Sequence, residues 1–154
     1  MVPSPLPVCD RQSTAAFFQR HRLHGAGSLM TGEQWAVLAD QMAPDARYFD
    51  SFYGWHAGRE QIRAFLSRSM TGLSEWRFPI DWSEIGEGRV VVAIRNQLPG
   101  HRDDRPIEFT SVSVIEYGPD GYIRRQMDTY GRLTAVASFM RCKLVGLGRL
   151  FRSR

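Results

Sequence analysis

The sequence predicts an α+β fold: a strongly bent, mostly antiparallel sheet packed with N-terminal helices around one pocket. Three observations lead there. Apolar residues recur at helical spacing in the N-terminal half and at strand spacing in the C-terminal half. The order is helices, a strand, a helix, then four strands joined by short turns. At 154 residues with 43% hydrophobic composition, the chain suits one core rather than two. A bent sheet closed by helices makes a cone, and the mouth of a cone is a natural ligand pocket.

The elements follow in order. Residues 1–12, with Pro3, Pro5 and Pro7, read as an extended leader. Ser13 or Thr14 is placed to cap a first helix running towards His24, which the run Gly25-Ala26-Gly27 ends. Thr31 and Gln34 have capping-box spacing, and Trp35, Leu38, Ala39 and Met42 form the apolar stripe of a second helix, stopped by Pro44. A short strand is expected over 46–52, and Gly58 opens a third helix over 59–70. Trp76, Phe78, Ile80 and Trp82 then alternate with polar residues or proline, which suits an edge strand. Gly86-Glu87-Gly88 makes a turn into a β-branched strand over 89–98. Pro99-Gly100 and the charged run to Arg105 read as a loop, followed by strands over 107–117 and 122–130 around the turn Gly118-Pro119-Asp120-Gly121. A single domain over 13–140 and a basic tail over 141–154 complete the organisation.

Composition narrows the function classes. The net charge of +4 comes from the tail, where Arg141, Lys143, Arg149, Arg152 and Arg154 meet no acid. Without them the balance is 15 basic against 16 acidic residues, or −1, so a nucleic-acid groove is disfavoured. No apolar run approaches a membrane span, which speaks against integral membrane association, and residues 1–7 lack the pattern of a secretory signal. Cys9 and Cys142 stand near opposite ends, a usage that suits a reducing cytoplasm. His21 and His24 lie one turn apart without a third ligand, so no metal site is expected.

Alternation selects the candidate site. In the strand from Arg89, Val90, Val92, Ile94 and Asn96 share one face, and Val91, Ala93, Arg95 and Gln97 the other. If the apolar set packs under helices, Arg95 and Gln97 are left for the pocket wall. Gln126, Asp128 and Tyr130 share a face of the last strand, so Arg95 and Asp128 are candidates to pair, holding a water or an electrophilic oxygen. An ordinary structural ion pair is the competing reading. Asp50 ends a strand among aromatics, a setting for acid–base work; as a cap or turn residue before Gly54 it would be structural. Phe52, Phe109 and Met127 are expected to line the pocket, Ser111 and Ser113 to supply polar lining, and His56 to titrate near neutrality at the rim. Trp35, Trp76 and Trp82 read as core.

The segments Met42-Ala43-Pro44-Asp45-Ala46-Arg47-Tyr48-Phe49-Asp50 and Gly58-Arg59-Glu60-Gln61-Ile62-Arg63-Ala64-Phe65-Leu66 resemble the opening of the nuclear transport factor 2-like superfamily. The resemblance runs from about Thr31 to Met140 and takes in ketosteroid isomerases, limonene-epoxide hydrolases and SnoaL-type polyketide cyclases. It implies the cystatin-like cone. The general base of ketosteroid isomerases falls on Asp50. Their oxyanion aspartate falls on Ser113, and for their oxyanion tyrosine the first helix offers only Phe17, Phe18 or His21. Of the Asp-Arg-Asp set of epoxide hydrolases, Arg95 matches the arginine, Asp128 the second aspartate, and Gln97 replaces the first. Tyr48 matches their water-holding tyrosine, and Asp50 stands at their asparagine. The acid–base aspartate of polyketide cyclases resembles Asp128 in position. What the resemblance implies is a cofactor-independent isomerase, hydrolase or cyclase acting on a small hydrophobic terpenoid, steroid or polyketide. Asp50 would be the base, Asp128 the acid, Arg95 its partner and Tyr48 the orienting group, with a homodimer formed through the sheet. A non-catalytic binding or assembly domain, or a partner-binding module using the outer sheet face, are the alternatives.

Overall fold

Asp10, rather than Ser13 or Thr14, opens the first helix. Its carboxylate accepts the Ser13 amide at 2.8 Å and the Ser13 hydroxyl at 3.1 Å, satisfying donors that a helix start leaves free. In this computed structural model, which describes residues 9–25, 37–71, 73, 75–102 and 105–152, helix α1 spans Arg11–Gly25. Thr14 is fully buried and anchors α1 to the sheet: its hydroxyl donates to Asp10 O and accepts the Gly88 amide, both at 2.8 Å.

Residues 1–8 of the expected leader and most of the expected second helix lie outside the described residues; Arg11 and Gln12, also read as leader, already belong to α1, and Cys9 is buried. What is described is a turn of helix at 37–38 and a 3-10 turn, Ala39–Gln41, after which Met42 is already extended. Strand β1 therefore begins at Met42 and runs to Asp50, with Pro44 inside it, where the pairing shifts register between Met42 and Arg47. A short strand absent from the sequence reading, β2 (Gly54–Ala57), folds back antiparallel on β1. Helix α2 (Arg59–Ser69) follows, burying Ile62, Phe65 and Leu66 at i, i+3 and i+4.

The remaining strands are β3 (Ile80–Ile85), β4 (Arg89–Arg102), β5 (Arg105–Tyr117) and β6 (Ile123–Tyr130). Pro99 and Gly100 belong to β4 rather than to a loop, past a register shift between Leu98 and His101. One six-stranded sheet has the order β2-β1-β6-β5-β4-β3, antiparallel except for the parallel β1/β6 pair. The turn into β6 needs its glycine: Gly121 has φ +80°, and a Cβ there would meet the Phe17 ring of α1 at 2.7 Å.

Helix α3 (Arg132–Arg152) runs through the segment read as a basic tail. Two apolar clusters fill the concave side. One joins Phe18, Met42, Ile62, Phe65, Val90, Val92 and Ile115 under α1 and α2. The other joins Trp76, Leu98, Ile107, Phe109 and Ala135 under α3. Trp76 is core as expected, whereas Trp82 is 53% exposed on the edge strand; Trp35 lies outside the described residues.

Candidate active site

Between the two clusters the bent sheet leaves a cavity of about 380 Å³. Strand register explains its polar floor. In the parallel β1/β6 ladder Asp50 stands beside Asp128 and Tyr48 beside Gln126. In β5, Ser113 is opposite Asp128 and Ser111 opposite Tyr130. Paired residues on neighbouring strands, about 4.8 Å apart, point to the same face, so these side chains form one polar row against apolar walls. The walls come from α2 and the segment after it (Phe65, Leu66, Trp76, Phe78), from β5 (Phe109) and from α3 (Ala135, Val136, Phe139).

Asp128 is the centre of this row. Tyr48 Oη donates to its Oδ2 at 2.5 Å, Gln126 Nε2 to its Oδ1 at 3.1 Å, and Ser113 is a further hydroxyl donor. Burial pushes the Asp128 carboxyl above its ordinary range; these hydrogen bonds oppose the rise, and the neighbouring Asp50 adds to it. Tyr48 is pushed well above the usual phenol range, by burial first and then by Asp128, and so stays a donor at neutral pH. Among the described residues, Gln126 Oε1 is buried without a hydrogen-bond partner.

Asp50 has a different set of partners. Its Oδ1 accepts the Phe52 and Tyr53 amides at 2.7 and 3.1 Å, which fixes the turn into β2. The Tyr130 hydroxyl lies 3.0 and 3.1 Å from the two carboxylate oxygens. Burial holds the Tyr130 phenol above its ordinary range, with Asp50 reinforcing it.

Of the residues the sequence singled out, Tyr48, Asp50, Phe52, Phe109, Ser111, Ser113, Asp128 and Tyr130 meet in this cavity. Arg95 and Gln97 do not. Arg95 points to the outer face of the sheet, where Nε bonds Asp81 at 2.6 Å, and Gln97 bonds Glu108 at 3.2 Å across β4/β5. The expected Arg95–Asp128 pair is therefore absent. The reason is that one face of β4 does both jobs: Val90 and Val92 pack under the helices, and further along Ile94 and Asn96 line the cavity. Met127 likewise faces outward, in register with Phe49 and Val114. His56 is not at the rim. It stacks on Phe65 with centroids 3.9 Å apart, its Nε2 is buried with no hydrogen-bond partner among the described residues, and burial lowers its pKa from the usual value.

Asn96 is a site residue that sequence reasoning placed under the helices. Its Nδ2 donates to Phe109 O at 3.3 Å and to Ser111 Oγ at 2.8 Å. A backbone carbonyl can only accept, so this contact fixes the amide orientation, with Nδ2 as the end bonded to β5. Its signal was the place where the run Val90, Val92, Ile94 ends in an amide. Among the described residues, the cavity lining holds two carboxyls and no arginine or lysine, and no group of three or more His, Cys, Asp or Glu is gathered for a metal.

The family model described as a SnoaL-like domain matches residues 15–126. Three solved structures are similar in fold. An NTF2-like protein from Anabaena variabilis is 18% identical, with 77% of this chain and 90% of that one covered at a TM-score of 0.60. A candidate isomerase of the SnoaL-like family from Agrobacterium tumefaciens is 16% identical, with 78% and 98% covered at 0.59. The epoxide hydrolase/cyclase-like enzyme SalBIII, described for pyran ring formation in the polyether salinomycin, is 16% identical, with 80% and 91% covered at 0.55. No curated protein is similar enough in sequence to count as a relative.

Proposed function

The chain belongs to the SnoaL-like domain family of nuclear transport factor 2-like folds, and on that premise we propose that it is a cofactor-independent acid–base enzyme, an isomerase, hydrolase or cyclase of a small hydrophobic molecule. The observation that carries this is the pair Asp50 and Asp128, side by side in register at the floor of an apolar cavity, with different hydrogen-bond partners. Two carboxyls so placed divide their roles: the nearby charge and the burial favour a proton on one of them. Asp128, pushed up by burial, is the acid; Asp50, whose partners are all hydrogen-bond donors, is the base. Tyr48 orients Asp128, and Tyr130 holds Asp50.

Without an arginine in the lining, developing negative charge on a substrate oxygen meets a neutral donor rather than a cation. That favours proton transfer or ring closure over the epoxide-hydrolase relay, whose arginine and first aspartate fall on the outward-facing Arg95 and Gln97. A second copy across the outer sheet face, where Trp55 is 44% and Trp82 53% exposed, belongs to the same reading. The test is a turnover screen over Δ5-ketosteroids, polyketide esters and epoxides, with wild type against Asp50→Asn and Asp128→Asn. Turnover lost in both folded variants supports the proposal. Ligand binding without turnover in any of the three proteins makes the cavity a binding site instead.

A further inference from the structure

Helix α3 carries an apolar face that, among the described residues, nothing covers. Its inner side is made of small groups: Ala135 and Ser138 are buried, Ser138 Oγ donates to Glu108 O at 3.4 Å, and Cys142 Sγ donates to Pro99 O at 3.2 Å. A helix turns about 100° per residue, which puts Leu133, Met140 and Leu144 directly opposite that side, with Val136 next to them. They are 87%, 56%, 64% and, for Val136, 43% exposed. Arg132 and Lys143 flank this stripe on one side and Arg141 on the other, all exposed. In the sequence of Arg132–Arg152 there are five cations and no acid.

We propose that α3 docks this stripe on an anionic membrane surface, lying in the interface without crossing it. An apolar centre with cations on both flanks is the pattern that seats a helix at the boundary of headgroups and acyl chains. No described helix is long and apolar enough to cross a membrane. The charge also chooses between occupants: a second copy paired stripe to stripe would bring two all-cationic helices together, whereas anionic headgroups neutralise them. The position fits a lipophilic ligand. Val136 belongs to the exposed stripe and also lines the cavity, as does Phe139 beside it. A docked α3 therefore sets the cavity wall next to the bilayer. Docking itself does not depend on what chemistry the cavity performs.

The test is co-sedimentation of the full chain with vesicles of mixed phosphatidylcholine and phosphatidylglycerol, compared with phosphatidylcholine alone. Wild type is expected to sediment with the anionic vesicles, to be released by salt, and to ignore the neutral ones. The double variant Leu133→Glu/Met140→Glu changes exposed positions only, and its fold is checked by circular dichroism. It should lose vesicle binding. Arg141→Glu and Lys143→Glu should each weaken binding roughly fivefold or more. Equal sedimentation with both vesicle types, or binding unchanged in the double variant, overturns the proposal. So does a dimer in sedimentation velocity that the double variant dissociates while wild type ignores the vesicles.

Discussion

Replacing Asp128 by Asn separates the chemistry of the cavity floor from its architecture. Wild-type Asp128 receives Tyr48 Oη, Gln126 Nε2 and the Ser113 hydroxyl. Asparagine keeps the shape but presents an NH₂ where one oxygen stood, so one donor now faces another. The conflict has a built-in remedy. Gln126 Oε1 is buried without a partner among the described residues, and turning that amide over offers an acceptor to the new NH₂. The structural cost is then one rearranged hydrogen bond, about 1 kcal/mol. The rate cost is larger: a positioned acid–base group is worth roughly 10²–10⁴, or about 3–5 kcal/mol of barrier. Burial raises the wild-type carboxyl above its unfolded value, so the folded state binds the extra proton. That contribution to stability is complete below the unfolded value, about 3.9, and is lost as pH rises through the folded value. Asn cannot titrate. The variant should therefore be slightly less stable than wild type in acid and recover relative to it as the pH rises. Urea unfolding across that range, alongside turnover on folded protein, reads both effects. A stability difference that is flat with pH, or a variant that keeps wild-type turnover, refutes the assignment of Asp128 as a neutral acid.

Two further substitutions test the faces of β4. Arg95→Ala breaks a half-exposed ion pair with Asp81 on the outer face, so stability should change by less than about 1 kcal/mol and turnover should be unchanged; a large rate loss would return Arg95 to the site. Asn96→Leu removes the amide of a cavity-lining residue. Measured by quenching of Trp76, which lines the cavity, the preference of wild type for hydroxybiphenyl over biphenyl should fall roughly fivefold, the worth of one hydrogen bond. An unchanged preference would mean that the Asn96 amide does not meet the ligand.

The fold was legible where periodicity and turn chemistry agreed. Ile62, Phe65 and Leu66 mark the buried face of α2 in both sequence and structure, and Gly118-Pro119-Asp120-Gly121 sets the turn into β6. Period 2 put Asp128 and Tyr130 on one face of the last strand, and with Asp50, singled out at a strand end, and Tyr48, implied by the resemblance, they meet in one cavity. The same rule failed on β4 because it was joined to a wrong premise, that core and cavity need opposite faces. On a strongly bent sheet the concave face serves both, and the convex face takes the Arg95–Asp81 and Gln97–Glu108 pairs. Helix α3 escaped notice for a different reason. Its packed side is Ala135, Ser138 and Cys142, too small and polar to register as an apolar stripe, while Leu133, Met140 and Leu144 face away from the protein. Gly146 and Gly148, poor helix formers, also lie within a helix that nonetheless runs to Arg152. Strand β2 was hidden because it is only four residues long, and the glycines that start and follow it, Gly54 and Gly58 at φ +80° and +86°, read as a loop.

The two carboxyls differ in what the fold asks of them, and this bears on whether the cavity reacts or merely binds. Asp50 has an architectural role, because the amides of Phe52 and Tyr53 depend on it for the turn that starts β2. A binding protein would keep it for that reason alone. Among the hydrogen bonds of Asp128's side chain, every partner is another side chain, namely Tyr48, Gln126 and Ser113. No turn or cap rests on these contacts. Placing an acid there, beside a second acid and without a cation, costs stability that an apolar residue in the same space would not. A cavity meant only to hold a hydrophobic molecule gains nothing from that cost. A cavity that must deliver a proton to one end of such a molecule requires it, with burial favouring the protonated form and Tyr48 holding the carboxyl in place.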